Sequence, residues 1–369
     1  MTKLKRRSFL AAATGAMAAP HLAMAHEAGS YSTSRPYRGR KIACEEGFSI
    51  PELIDAIDRY MERGAEDEPG MRALIGDDKY PRWPRLLDPE IRLADMARSG
   101  VDMQVLMVNS PGVQIFEPAE ATEIARLIND RAHDWTTRWP DKFVALAAMA
   151  PQDPEGAAQE LERAVRNLGH RGGIINSHSK GEYLDQRKFW PMLEAAQALD
   201  VPIYIHPREP APGALEYYAA QHVEGAMWGY AAETSLHVLR MIAGGVFEEF
   251  PRLKIVIGHD GEGIPFFLDR IDNRYRSLHR GELGPLTRSP ATVFRENFWV
   301  TSSGANWAPA VRFCQEVLGP ERVLFAVDYP FEDEDSTVRQ ALDIAMPAAE
   351  AEMFFHRNAE QVFAIPPVA

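Results

Sequence analysis

The chain has 369 residues, of which 46% are hydrophobic and 25% charged, with a formal net charge of −13. That is enough apolar material for one large domain, and the acidic balance excludes nucleic acid as an expected partner. Cys44 and Cys314 are the only cysteines, too few for a disulfide framework or a zinc-ribbon spacing.

Residues 1–25 read as an export signal of twin-arginine type. Lys5-Arg6-Arg7-Ser8-Phe9-Leu10 is followed by a short run of small apolar residues to Ala19 and by Ala23-Met24-Ala25. The apolar run is too short for a stable membrane span, and no later segment reaches roughly 18 uninterrupted apolar residues. The expectation is a periplasmic or otherwise exported protein with no membrane segment in its mature form. Cleavage after Ala25 removes Lys3, Lys5, Arg6 and Arg7 and no acid, so −13 becomes −17. Export of an already folded chain suits an enzyme that acquires a metal before it leaves the cytoplasm.

Residues 26–39 are polar and read as a linker, leaving 40–369 as one catalytic domain. From residue 40, short apolar runs alternate with helical patterns. The predicted strands are 41–46, 101–108, 143–149, 172–176, 202–206, 253–259, 298–303 and 323–328, with amphipathic stretches such as 154–168 and 189–199 between them. Asp153-Pro154 and Asp185 read as helix starts, Gly100 and Gly169 as stops. Cys44 reads as a buried small apolar residue. The stretch 63–90 reads as a long irregular loop with a functional or interface role. Eight strands alternating with helices predict a parallel sheet closed into a (β/α)8 TIM barrel. An open doubly wound sheet is the alternative, weakened by the lack of a G-x-G-x-x-G after a strand.

Barrel active sites lie at the carboxyl ends of the strands. Here those ends carry Glu45-Glu46, Asn109-Ser110, Asn176-Ser177-His178, His206 with Arg208, His259 with Glu262 opening the next helix, Ser302-Ser303-Gly304, and Asp328. Glu, His, His and Asp on strands one, five, six and eight converge on one mouth if the barrel closes, and three or four such side chains bracket one divalent metal. The carboxylate of strand one is then a metal ligand. Successive side chains of a regular strand point to opposite faces, so Glu45 and Glu46 do not both face inward, and periodicity does not choose between them.

Several polar residues have plainer readings. Glu233 and His237, four apart, read as a helix packing pair. His178 is either a loop contact or a substrate contact, and Arg208 either grips a substrate carboxylate or forms a structural ion pair. Trp228 and Trp307 read as core packing or as walls of an aromatic pocket, and "FEDEDS" at 331–336 as a solvated helix start.

The segments "KIACEEGFSIPE", "NSPGVQ", "IHPREP", "ETSLHVLRMIAGGVFEEFPRLKIVIGHDGEG", "DRID", "VTSSG", "VLFAVDYPFE" and "NAEQVF" together resemble the amidohydrolase superfamily over residues 40–363. The resemblance is closest to the branch of aromatic-acid decarboxylases acting on γ-resorcylate, 2,3-dihydroxybenzoate and 5-carboxyvanillate. It implies that Glu45, His206 and Asp328 are the metal ligands, that His259 is catalytic and that Glu262 orients it. Arg270, read as lying two turns after Glu262 on one helical face, completes the charged cluster and joins Arg208 as a candidate substrate contact. Many relatives carry a metal-binding histidine two residues after the first glutamate, where this chain has Gly47. The remaining donors, one imidazole and two carboxylates, favour Mg²⁺ or Mn²⁺ over Zn²⁺.

The implied activity is metal-dependent, non-oxidative decarboxylation of a phenolic acid, with Asp328 donating a proton to the ring carbon and His259 assisting. The alternative is metal-dependent hydrolysis of a lactone, ester or amide on the same site, and a third reading, resting on Gly47 alone, is a non-catalytic binding protein. Relatives imply a homo-oligomer, dimer or tetramer, with 63–90 as a candidate interface.

Overall fold

A computed structural model describes residues 37–64, 83–278 and 286–367. The export-signal segment 1–25, residues 26–36 of the linker and residues 65–82 of the long loop lie outside the described residues. So does any interface formed there.

Among the described residues, nine strand segments follow in chain order: β1 (Ile42–Phe48), β2 (Met103–Val108), β3 (Phe143–Ala145), β4 (Ala147–Ala148), β5 (Gly173–Asn176), β6 (Pro202–His206), β7 (Lys254–Ile257), β8 (Phe298–Thr301) and β9 (Val323–Leu324). Each pairs in parallel with its sequence neighbour, in the orders β1-β2-β3 and β4-β5-β6-β7-β8-β9. Parallel strands buried on both faces are apolar without alternation, as at Ile203, Ile205, Ile255, Val256 and Ile257, all fully buried. Each such side chain contributes about 1.5–3 kcal/mol of burial.

The predicted third strand is broken at Leu146, whose N–H bonds to Leu106 at 2.9 Å, while Ala147 turns to Gly172 at 2.8 Å. β3 and β4 are therefore one strand of the barrel shared between two neighbours. At the other seam, the Cys44 N–H bonds to the Phe325 carbonyl at 3.1 Å and the Gly47 N–H to the Tyr329 carbonyl at 2.7 Å. Glu46 and Tyr329 form an isolated parallel bridge. The architecture is the expected TIM barrel of amidohydrolase type.

The last strand is much shorter than the predicted 323–328. The Phe325 N–H bonds to Phe354 at 2.9 Å, that of Ala326 to Ser302 Oγ at 3.2 Å and that of Val327 to the Glu46 side chain at 3.0 Å. Groups outside any strand ladder thus satisfy these amides.

The helix from Pro154 to Leu168 begins and ends where the sequence predicts. Asp153 accepts the Gly156 N–H at 3.1 Å, and Gly169 closes the helix at φ 74°. Gly100 likewise ends Pro89–Ser99, at φ 77°. Asp185 is not a cap. It holds Arg240 through two hydrogen bonds of 3.0 and 2.8 Å, and Trp190–Leu199 is preceded by a tight turn at Arg187–Phe189. Within 63–90, Trp83–Leu87 and the start of Pro89–Ser99 are helical where an irregular loop was predicted. The described end of the linker is anchored: Tyr37 stacks on Phe355 at 4.6 Å between ring centres, and Arg40 pairs with Glu360 at 2.7 Å. Among the described residues, no helix is long and apolar enough to cross a membrane.

Candidate active site

The register between β1 and β2 slips between Ala43 and Glu46: Ala43 faces Gln104 and Glu46 faces Leu106, so Cys44 and Glu45 together oppose Val105. This is a β-bulge, a device that re-aims a side chain beside an active site. It separates the two glutamates. Glu45 meets hydroxyls on β6 and around the end of β8. Glu46 meets the backbone after β9.

Glu45 Oε2 accepts hydrogen bonds from Tyr204, Ser303 and Thr301, the last at 2.7 Å. Its Oε1 is buried and has no hydrogen-bond partner among the described residues. That bare oxygen lies 3.4 Å from His206 Nε2 and 3.8 Å from His259 Nε2. Burial would raise the Glu45 carboxyl, but His259, His206 and the Ser303 and Tyr204 hydroxyls outweigh it and hold it below the usual carboxylate range. Gly258 makes the approach possible: a Cβ there would stand 2.7 and 2.8 Å from the two Glu45 oxygens.

His206 directs Nδ1 to the Pro207 carbonyl at 2.9 Å, which places the proton on Nδ1 and leaves Nε2 as a donor atom facing Glu45. His259 is arranged similarly, with Nδ1 on Glu262 Oε1 at 2.7 Å and Nε2 at 3.7 Å from Asp328 Oδ2. Burial lowers the His259 imidazole, yet Glu262, Glu45 and Asp328 together hold it well above the ordinary histidine range. Gly304 floors this corner, since a Cβ there would come within 3.3 Å of His259 Cδ2 and 3.9 Å of Asp328 Oδ2. One ligand atom from each of Glu45, His206 and Asp328 falls within 4.8 Å of the others.

Residues 53–365 match the amidohydrolase family. The chain belongs to that family. It is 34% identical over 332 residues to a γ-resorcylate decarboxylase of Polaromonas sp., covering 88% of this chain and 98% of the relative. A γ-resorcylate decarboxylase of Rhizobium radiobacter is 37% identical over 304 residues, covering 80% and 89%. In structure, the chain is similar to a 5-carboxyvanillate decarboxylase of Novosphingobium aromaticivorans, with bound manganese and 3-methoxy-4-hydroxy-5-nitrobenzoic acid. The TM-score is 0.85 at 37% identity, over 88% of this chain and 97% of that one.

The residues of this amidohydrolase fit a divalent cation. Three hydroxyls crowd one Glu45 oxygen and leave the other bare, buried and aimed at an imidazole nitrogen and a second carboxylate. A group so placed needs a positive partner. One nitrogen and two carboxylates form an oxygen-rich set, suited to Mn²⁺ or Mg²⁺. The glycine at 47 has a local cause. A Cβ there would meet the Tyr329 carbonyl at 2.9 Å, Leu86 at 3.2 Å and Phe331 at 3.3 Å. The backbone contact across the seam takes the space a histidine would need.

Other predicted residues fall elsewhere. Glu262 is not the opening of the next helix. It sits before Ile264–Leu278 in left-handed conformation, φ 54°, which turns its carboxylate back onto His259. The helical face predicted to carry both Glu262 and Arg270 therefore does not exist, and Arg270 is exposed on the helix surface. Arg208 is buried and donates to the His178 carbonyl at 2.9 Å, with Glu209 and Tyr230 close by. Burial lowers its guanidinium to about 10. His178 is a loop brace, joining the Glu209 carbonyl at 3.0 Å and the Gly181 N–H at 3.1 Å.

Glu233 and His237 both reach Ser177 Oγ at 3.2 Å, and the Leu184 N–H occupies His237 Nε2 at 3.1 Å, so this buried group fixes the loop after β5. Trp228 and Trp307 are not core residues, at 59% and 68% exposed. In the acidic run, Asp333 caps the helix Glu334–Leu342 as expected. Glu334, however, is buried and accepts from Gln104 at 2.9 Å.

Tyr204, Thr301 and Gly258 were missed. A signal existed for two of them: Tyr204 stands two residues before His206, and Thr301 two before Ser303, hence on the same face of each strand.

Proposed function

We propose that this chain is a metal-dependent, non-oxidative carboxy-lyase acting on a phenolic acid with a hydroxyl ortho to the carboxylate. One observation carries the reading: the convergence of Glu45, His206 and Asp328 beside His259. It is joined by near full-length similarity to γ-resorcylate and 5-carboxyvanillate decarboxylases.

Glu45, His206 and Asp328 would hold the divalent cation, which when bound would supply positive charge to balance the anionic phenolic acid. Glu45 stays anionic through its hydroxyl and histidine contacts. Asp328 first takes the Nε2 proton of His259, 3.7 Å away, and then delivers it to the ring carbon that bears the carboxylate. The electrons of the C–CO₂ bond then return to the ring, CO₂ departs and aromaticity is restored. His259, oriented by Glu262, stands 3.7 Å from Asp328 and relays the replacement proton from solvent.

The test is turnover of a panel of ortho-hydroxybenzoates and aryl lactones by protein reconstituted with Mn²⁺, following CO₂ and ring absorbance together. CO₂ with loss of the acid chromophore is expected. Lactone opening without CO₂ would move the chemistry to hydrolysis. The proposal extends to export: the paired arginines and the A-x-A end support periplasmic delivery of a folded, metal-loaded chain, and fractionation of cells making the full-length protein tests it. It also includes a homo-oligomer, dimer or tetramer, tested by light scattering of the purified protein.

A further inference from the structure

Glu46 takes no part in the donor set, yet it brackets Asp328 from behind. It is fully buried. Its Oε1 accepts the N–H of Val327 at 3.0 Å, and its Oε2 accepts the N–H of Tyr329 at 3.1 Å. The residue between those amides is Asp328, whose φ of 73° lies in the left-handed region. That region is uncommon for a non-glycine residue, and here the flanking amides are fixed by a buried carboxylate. Beyond it, the N–H groups of Phe331 and Glu332 return to the Asp328 carbonyl at 2.8 and 3.0 Å.

The clamp is itself braced. Arg92, fully buried, lies 4.5 Å over the Tyr329 ring and donates to the Gly47 carbonyl and to Gln104 Oε1, the latter at 2.8 Å. The Tyr329 hydroxyl is held by Asp95 at 2.8 Å.

We propose that Glu46 is a positioning residue, whose carboxylate grips the amides on either side of Asp328 and so aims the Asp328 side chain at Glu45, His206 and His259. The two adjacent glutamates then have divided roles. Glu45 supplies a donor atom, and Glu46 sets the direction of another residue's. The inference rests on Asp328 being a ligand and not on the reaction it serves.

The test titrates Mn²⁺ into the full-length protein and its Glu46→Gln, Asp328→Asn and double variants, reading free Mn²⁺ by electron paramagnetic resonance. Glutamine keeps the shape but offers one acceptor, and its NH₂ faces the second amide. Glu46→Gln is expected to weaken Mn²⁺ binding by about tenfold. In the Asp328→Asn background, the same change is expected to move it by less than about twofold, because the two act as one unit. Equal weakening in both backgrounds, or none in a folded Glu46→Gln protein, overturns the proposal.

Hydrogen exchange of the wild-type Val327 and Tyr329 amides decides the matter if that variant does not fold. Slow exchange of both supports the clamp, and exchange as fast as in exposed loops overturns it. Absence of CO₂ release from phenolic acids would sink the proposed function and leave this readout intact.

Discussion

Glu45 Oε1 lies 3.4 Å from His206 Nε2, buried, with no hydrogen-bond partner among the described residues. The contrast with Oε2, which gathers three hydroxyls, makes the Glu45 carboxylate directional: one oxygen is anchored and the other is available.

Metal content should follow that division. Glu45→Ala is expected to leave the protein almost free of Mn²⁺ after dialysis, and Glu46→Ala to lose less. Tyr204→Phe, which removes one anchor, should weaken binding by about tenfold while keeping the ligand set. Plasma emission spectrometry of the dialysed variants reads all three. Equal loss from Glu45→Ala and Glu46→Ala would refute the assignment of Glu45 as the ligand.

In the proposed function Asp328 both holds the cation and passes on the proton, so Asp328→Asn would remove both roles together. Turnover should fall by at least about a hundredfold, the lower range for loss of a general acid. His259→Gln should reduce turnover with a smaller effect on Mn²⁺ affinity, since His259 stands beside the donor set. A CO₂ assay at saturating Mn²⁺ distinguishes the two effects.

Stability should depend sharply on Arg92. Its guanidinium is fully buried between Gln104, the Gly47 carbonyl and the Tyr329 ring. Arg92→Met strips the positive partner from a region holding Glu46 and Glu334, and leaves the Gly47 carbonyl without its donor. Each buried acceptor left without its donor costs about 1–3 kcal/mol. Urea denaturation of both proteins measures it, and a cost under about 1 kcal/mol would show the region is wetter than the structure implies.

His170 predicts an acid-side pH dependence. It is 2% exposed, and burial, with His133 adding to it, lowers the imidazole to about 4. In the unfolded chain it titrates near about 6.5. Between these values the unfolded chain binds more protons than the folded one, so this contribution to stability is complete above about pH 6.5 and declines as the pH falls toward about 4. The full loss is of the order of 3 kcal/mol, since each tenfold change in proton affinity is worth about 1.4 kcal/mol. The difference in urea midpoint between about pH 7.5 and pH 5 should therefore be smaller in His170→Leu than in wild type. An unchanged difference would mean that His170 does not carry the effect.

Much of the architecture is local and was legible. Asp153 and Gly169 bound their helix because a capping carboxylate and a left-handed glycine act within one turn. The order of the strands and the positions of His206, His259 and Asp328 near the carboxyl ends of β6, β7 and β9 came from the same short-range patterning. The family resemblance named Glu45, which alternation left open. Alternation could not choose because a period of two has no phase of its own, and the bulge at Cys44 and Glu45 sets that phase only in the folded sheet.

By itself, then, the sequence determined the repeating strand–helix order and which titratable side chains stand near one rim. The tertiary structure alone decided which way they point. Glu46 meets Val327 and Tyr329 across 281 and 283 residues of chain. Glu262 reaches His259 only because its backbone turns left-handed before the helix begins. Gly47 is confined by a carbonyl from the far end of the barrel. Backbone preferences act over a few residues, whereas the direction of a buried carboxylate is set by the donors and charges that closure of the barrel brings around it.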